Sequence, residues 1–123
     1  APALYRAALA EATGADLTMS PGCCGESGLG AVTSPDVYNP IRQRKQEQLA
    51  RDLAGAGREV PVLVGCPSCK SGIRRCLLGL ADKRRVLHTT QWLAELAGGP
   101  DWKRTLLRRL DAARAKGHTL TVD

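Results

Sequence analysis

Val60-Pro61-Val62-Leu63-Val64, followed at once by Gly65-Cys66-Pro67-Ser68-Cys69, decides the fold. A half-exposed strand alternates apolar and polar side chains. A nearly continuous apolar run fits instead a strand covered on both faces, as in a parallel sheet. Gly65 stops the run, and Cys66-Pro67-Ser68-Cys69 opens a helix expected to reach about Leu80, with its proline in the first turn where no N–H is missed. Arg85-Val86-Leu87-His88 reads as a further strand. Thr89 or Thr90 then serves as cap for a helix around Trp92 to Leu96.

Working outward, Pro2 to Thr13 spaces Leu4, Tyr5, Ala8, Leu9 and Ala12 as one side of a helix, with Gly14 as terminator. Asp16 to Ser20 reads as a short strand. Pro21 to Gly30 (PGCCGESGLG) holds too much glycine for a regular element and is a loop. Ser34 is placed to cap, and Pro35 to start, a helix running to about Ala54, with Val37, Ile41, Leu49 and Leu53 toward the core; Gly55 and Gly57 end it. Gly98-Gly99-Pro100 breaks the chain, Asp101 caps a last helix to about Lys116, and His118 to Val122 is expected as a short strand. Helix and strand thus alternate at short spacing. This predicts an α/β domain: strands near 16–20, 60–65 and 85–88 as parallel neighbours in a small sheet, with helices on both faces in a Rossmann-like three-layer sandwich.

The chain has 123 residues, one domain's worth. Hydrophobic residues make up 43% and charged ones 24%, in the range of globular domains rather than disorder or membrane proteins. No apolar run approaches the ~20 residues of a spanning helix, and no signal peptide opens the sequence, so a cytoplasmic protein is expected. Aromatic residues are only 3%, which disfavours base stacking. The net charge of +6 is uneven: residues 1 to 36 carry Arg6 against Glu11, Asp16, Glu26 and Asp36, while the basic excess lies at Lys70 to Arg85 and Lys103 to Lys116. No nucleic-acid motif accompanies that excess, so no nucleic-acid partner is expected; a solvated face, an anionic cofactor or an acidic partner domain accounts for it.

In open parallel sheets, sites form beyond the carboxyl ends of the strands. Here those ends are Cys23-Cys24, Cys66 to Cys69, and His88. The cysteines follow the pattern C-C-x41-C-x2-C-x6-C. Structural disulfides suit small secreted chains, but the count of five is odd. Cys66-x2-Cys69 has the spacing of half a zinc site, yet adjacent Cys23 and Cys24 rarely both reach one tetrahedral ion. A polynuclear iron–sulfur cluster lets neighbouring cysteines ligate different irons. Gly22 and Gly25, and likewise Gly65 and Gly72, would let backbone approach inorganic sulfur closely. Cys76, near Leu77 and Leu80, reads as an inert core residue.

Cys23-Cys24-Gly25 followed by Cys66-Pro67-Ser68-Cys69 resembles the cysteine-rich CCG domain found in heterodisulfide reductases, in the glycolate oxidase iron–sulfur subunit and in lactate-utilisation proteins. The stretch SPGCCGESGLGAVTSPDVYNPIRQRKQEQL is similar to the C-terminal region of bacterial FAD-linked oxidases of the D-lactate dehydrogenase or glycolate oxidase type. The resemblance covers roughly residues 1 to 97 and is specific at residues 20 to 30 and 62 to 72. It implies a [4Fe–4S] cluster, cubane or non-cubane, held by Cys23, Cys24, Cys66 and Cys69. The motif also carries an earlier cysteine with no counterpart in this sequence. On the resemblance, residues 1–123 are one CCG-type domain from the C-terminal part of a larger oxidoreductase. Flavin and ferredoxin-like domains would then be its partners, with FAD bound outside this chain and peripheral contact with the respiratory chain. The fragment would be inactive alone. The implied function is iron–sulfur electron transfer in an FAD-linked 2-hydroxyacid oxidoreductase. The alternative is a non-catalytic interaction domain with a degenerate or zinc-filled cysteine site.

The remaining candidates have bland counterparts. His88 either touches a cluster or substrate, alongside Gly25 and Gly65, or caps and packs. Lys70, Arg74 and Arg75 either offset cluster charge or lie in solvent. Glu26 and Ser27 either move protons or are loop polarity. Arg42, Arg44 and Lys45 read as a wet helix face, and Trp92 and Trp102 as packing residues. Gly25-x-x-Gly28-x-Gly30 does not match a dinucleotide fingerprint.

Overall fold

A computed structural model describes residues 2–117. The elements run α1 (Pro2–Thr13), α2 (Gly30–Thr33), α3 (Pro35–Asp52), β1 (Val62–Val64), α4 (Pro67–Gly79), β2 (Val86–His88), α5 (Thr89–Gly98) and α6 (Trp102–Ala115). The protein is a mixed, mostly helical α/β structure around a two-stranded parallel sheet. Val62 stands opposite Val86, Leu63 opposite Leu87, and Val64 opposite His88.

The β1–α4–β2 unit follows from the apolar run and the helix start after it. Pro67 occupies the first turn of α4, and Ile73, Cys76, Leu77 and Leu80 recur at helical spacing to form one face. That face joins Leu49 of α3, Val64 of β1 and Val86 of β2 in the core; Leu53, Val62 and Cys69 pack against it. Successive residues of a strand point to opposite faces. Val86 and Leu87 are both buried, so both faces of β2 are covered. Helix α5 also contacts both strands, and α3 packs on α4. Ala81, in the left-handed region at φ 52°, turns the chain out of α4. Asp82 then fixes the approach to β2 by accepting from Arg84 N at 2.9 Å and Arg84 Nε at 3.0 Å.

Several expectations need correction. Asp16 to Ser20 is not a strand, so the parallel sheet has two strands, β1 and β2, among the described residues. Of that stretch Leu17 and Ser20 are half-buried while Asp16, Thr18 and Met19 are exposed. Leu17 O accepts from Arg6 Nη1 rather than from a neighbouring strand. Val37 is 58% exposed, and it is Leu49, with Leu53 just past the end of α3, that meets the aliphatic core. Ser34 and Asp101 stand at helix starts without a side-chain capping bond; α5 is capped by the His88 ring, not by Thr89 or Thr90. Helix α1 forms as expected and Gly14 ends it at φ 69°, yet α1 buries no residue. The strand expected at His118 to Val122 lies outside the described residues. Among the described residues no helix is long and apolar enough to cross a membrane.

Candidate functional site

The loop carrying Cys23 and Cys24 is wedged between α3 and α4. On the α3 side, Gly25 adopts φ 67°, and a Cβ there would stand 2.8 Å from Arg42 N and 3.0 Å from Arg42 Cα. Backbone atoms of a helix cannot swing aside, so only glycine fits. On the α4 side, a Cβ on Gly72 would lie 3.0 Å from both Cys24 O and Glu26 Cβ. The two glycines let the loop sit directly on both helices.

This seating brings together residues far apart in the chain. Cys24, 6% exposed, donates from Sγ to Cys69 Sγ at 3.4 Å. Cys69 lies in the first turn of α4 and Cys66 is the residue that precedes the helix, just beyond the carboxyl end of β1. Burial, reinforced by the neighbouring Cys24 and Cys66 thiols, pushes the Cys69 thiol up to about 12. The exposed Cys66 thiol is held below its ordinary value by the backbone N–H groups of Cys69 and Ser68, the free donors of a helix start. Cys23 is exposed, and its Sγ accepts from Gly25 N at 3.5 Å. Cys76 turns into the core, fully buried, and donates to Arg42 O at 3.7 Å; burial raises its thiol.

Two thiolates on one tetrahedral ion stand roughly 3.7 Å apart, from a metal–sulfur bond of ~2.3 Å. The Cys24–Cys69 separation is within a few tenths of an ångström of that. Cys23 and Cys66 flank the pair, one beside Cys24 and the other three residues before Cys69. The donor chemistry therefore fits a thiophilic centre. Among the described residues, however, no three cysteine, histidine, aspartate or glutamate side chains are gathered as a ready metal site. The structure joins the two inner sulfurs and leaves the two outer ones exposed.

Charged groups that the sequence disguised surround the loop. Lys45, expected on a wet face, is 4% exposed. Its Nζ donates to Ser20 O at 2.9 Å, Ser20 Oγ at 2.7 Å and Pro21 O at 2.7 Å. Burial holds its ammonium below the ordinary lysine value. Glu26 is buried and lies 3.1 Å from Arg75 Nη1 of α4 and 3.7 Å from Arg42 Nη2 of α3. The longer contact is no hydrogen bond, and Arg42 Nε and Nη2 have no hydrogen-bond partner. The signal for these residues was present: Arg42 and Lys45 precede Leu49 by seven and four positions, on the stripe that α3 turns inward. Arg44 stays exposed.

His88 ends β2, where its Nδ1 accepts from Thr90 N at 3.3 Å, a capping role beside the site edge. Gly65 sits at the same edge, with Tyr5 Oη of α1 3.8 Å from where its Cβ would stand. Lys70 donates to Gln91 Oε1 at 2.9 Å, tying α4 to α5, and Arg74 is exposed. Ser27 accepts from Tyr38 Oη at 3.2 Å, and Trp92 and Trp102 are half-buried packing residues. Compared with protein-family models, curated proteins and solved structures, the chain matches none.

Proposed function

We propose that the protein is the iron–sulfur electron-transfer module of an FAD-linked 2-hydroxyacid oxidoreductase, with Cys23, Cys24, Cys66 and Cys69 as ligands to a [4Fe–4S] centre. The observation that supports this is that the fold brings Cys24 and Cys69, separated by 45 residues, into contact; 3.4 Å is close to the spacing of two ligands on one metal atom, so the pair must open for each sulfur to serve its own iron. The exposed outer thiols suit a polynuclear centre better than a single ion, because adjacent Cys23 and Cys24 can serve different metal atoms. When bound, such a centre supplies a one-electron carrier. The chain's own residues supply the rest. Gly25 and Gly72 permit the loop's close seating. Backbone N–H groups at the start of α4 face the Cys66 sulfur and favour its anionic form. The partly covered Cys24–Cys69 pair keeps water from the inner side. The flavin and the 2-hydroxyacid substrate belong to partner domains.

The test is anaerobic reconstitution of the chain with iron and sulfide, followed by iron and acid-labile sulfide analysis. Both are expected in the wild type and lost from the Cys24→Ser/Cys69→Ser variant. Zinc retained without iron or sulfide would sink the proposal in favour of a zinc-filled interaction domain.

A further inference from the structure

Lys45 is a buried cation without a buried carboxylate to match it. All three of its hydrogen-bond partners are neutral oxygens, two of them carbonyls that can only accept. With the Ser20 hydroxyl they complete the three-donor set of an ammonium. Among the described residues Lys45 forms no ion pair, and Asp52, two turns further along α3, is exposed. Removing an ammonium from water without an opposite charge is strongly unfavourable. Ser20 and Pro21, which Lys45 holds, lead directly into Cys23 and Cys24, and Leu49, one turn further along α3, packs in one cluster with Cys24, Cys76 and Cys69. Arg42, one turn earlier on α3, adds positive charge on the same side. Glu26 answers it only in part, since Arg75 shares that carboxylate. Neutral thiols cannot balance this arrangement; an anionic sulfur centre can.

We propose that Lys45 is the fixed counter-charge of the cysteine site, placed to balance an anionic metal–thiolate centre at Cys24 and Cys69. This rests on the thiol-ligated metal centre proposed above. Lys45 is a positioning residue in two senses. It holds Ser20 and Pro21, and so the approach to Cys23 and Cys24, and it sets the potential in which the sulfurs carry charge.

The experiment titrates the chelator-treated full chain with cobalt(II), reading thiolate-to-cobalt charge-transfer absorption. Lys45→Met is expected to weaken cobalt binding roughly tenfold or more, the scale of a lost charge pair in a partly buried site. Lys45→Arg retains most of the affinity. Arg44→Met, which removes an exposed charge from the next position, leaves it unchanged. A Lys45→Met protein with a lowered metal-free melting point but wild-type cobalt affinity would reduce Lys45 to a loop clamp and overturn the proposal. Should Lys45→Met fail to fold, the wild type decides. The ratio of the iodoacetate to the iodoacetamide rate at Cys24 and Cys69 is expected to exceed that of an unstructured cysteine peptide, because the ratio cancels burial and protonation and keeps the effect of reagent charge. An equal ratio overturns the proposal. No cobalt binding by the wild type defeats the metal centre itself, while the alkylation ratio still reports separately whether the Lys45 charge acts on the sulfurs.

Discussion

Replacing Gly72 by alanine sets two well-understood effects against each other. Inside a helix the change is favourable by ~1 kcal/mol, because glycine loses more backbone freedom on folding. Here the new methyl would land 3.0 Å from Cys24 O and Glu26 Cβ, against 3.4 Å for the start of ordinary contact. Neither neighbour is the free end of a flexible chain, so the cysteine loop or α4 must move by about 0.4 Å or more. Overpacking of this kind costs roughly 1–3 kcal/mol. The net expectation is a loss of up to ~2 kcal/mol, or a fall in Tm of up to about 8 °C for a domain of this size. Gly79→Ala in the same helix is the control. Its methyl meets only the Gln46 side chain, which can rotate away, so that variant should be neutral or stabilised by up to ~1 kcal/mol. Thermal and denaturant melts of the metal-free proteins give the stabilities, and timed alkylation of Cys24 reports whether the loop has lifted. If Gly72→Ala is as stable as Gly79→Ala, and Cys24 is no more reactive than in the wild type, the loop is not seated on α4 as described.

Two further outcomes follow from the burial of the inner thiols and the core. Cys69, pushed up to about 12 from an ordinary 9.0, keeps its proton in the fold where the unfolded chain releases it. Its contribution to stability is therefore complete below pH 9 and is lost as pH rises toward about 12; denaturant midpoints of the metal-free protein should fall across that window, and Cys69→Ser should flatten the slope, whereas parallel curves would contradict the burial argument. Leu77, 2% exposed between α3, α4 and the sheet, should lose about 2–5 kcal/mol on truncation to alanine in equilibrium unfolding, and a loss under about 1 kcal/mol would mean that the core lies elsewhere.

The parts legible in the sequence were those where one physical requirement acts alone. The runs at Val60 to Val64 and Arg85 to His88 contain β1 and β2, shortened to Val62–Val64 and Val86–His88, because a covered strand tolerates little but apolar side chains, while Val60 stays outside at 44% exposure. Pro35 and Pro67 marked helix starts because a missing N–H is harmless there. The supposed strand at Asp16 to Ser20 failed because extended preference in five residues is a local signal, while a strand exists only where a neighbour offers a ladder. Lys45 and Arg42 were assigned to solvent by residue type, although their spacing from Leu49 placed them inward. Charge is normally the stronger cue; it was overruled because the middle of α3, around Arg42 and Lys45, packs against loop carbonyls and Glu26, which need donors. The proximity of Cys24 and Cys69 could be anticipated from motif and topology. The division into an inner pair and an outer pair could not, since it depends on how closely Gly25 and Gly72 let the loop approach.

The order of elements also has a kinetic meaning. β1, α4 and β2 are consecutive, so their mutual contacts close only short stretches of chain. The Cys24–Cys69 contact closes a stretch of 45 residues and joins a loop that is seated on both α3 and α4. Loop-closure entropy grows with the enclosed length, and local contacts tend to be established first. The sulfur pair is thus a late-forming feature of a chain whose βαβ unit can nucleate without it. A metal or cluster arriving during folding would meet the ligands of α4 in place before the loop that brings Cys23 and Cys24, and the closing of that loop, more than collapse of the core, would set the pace of site completion.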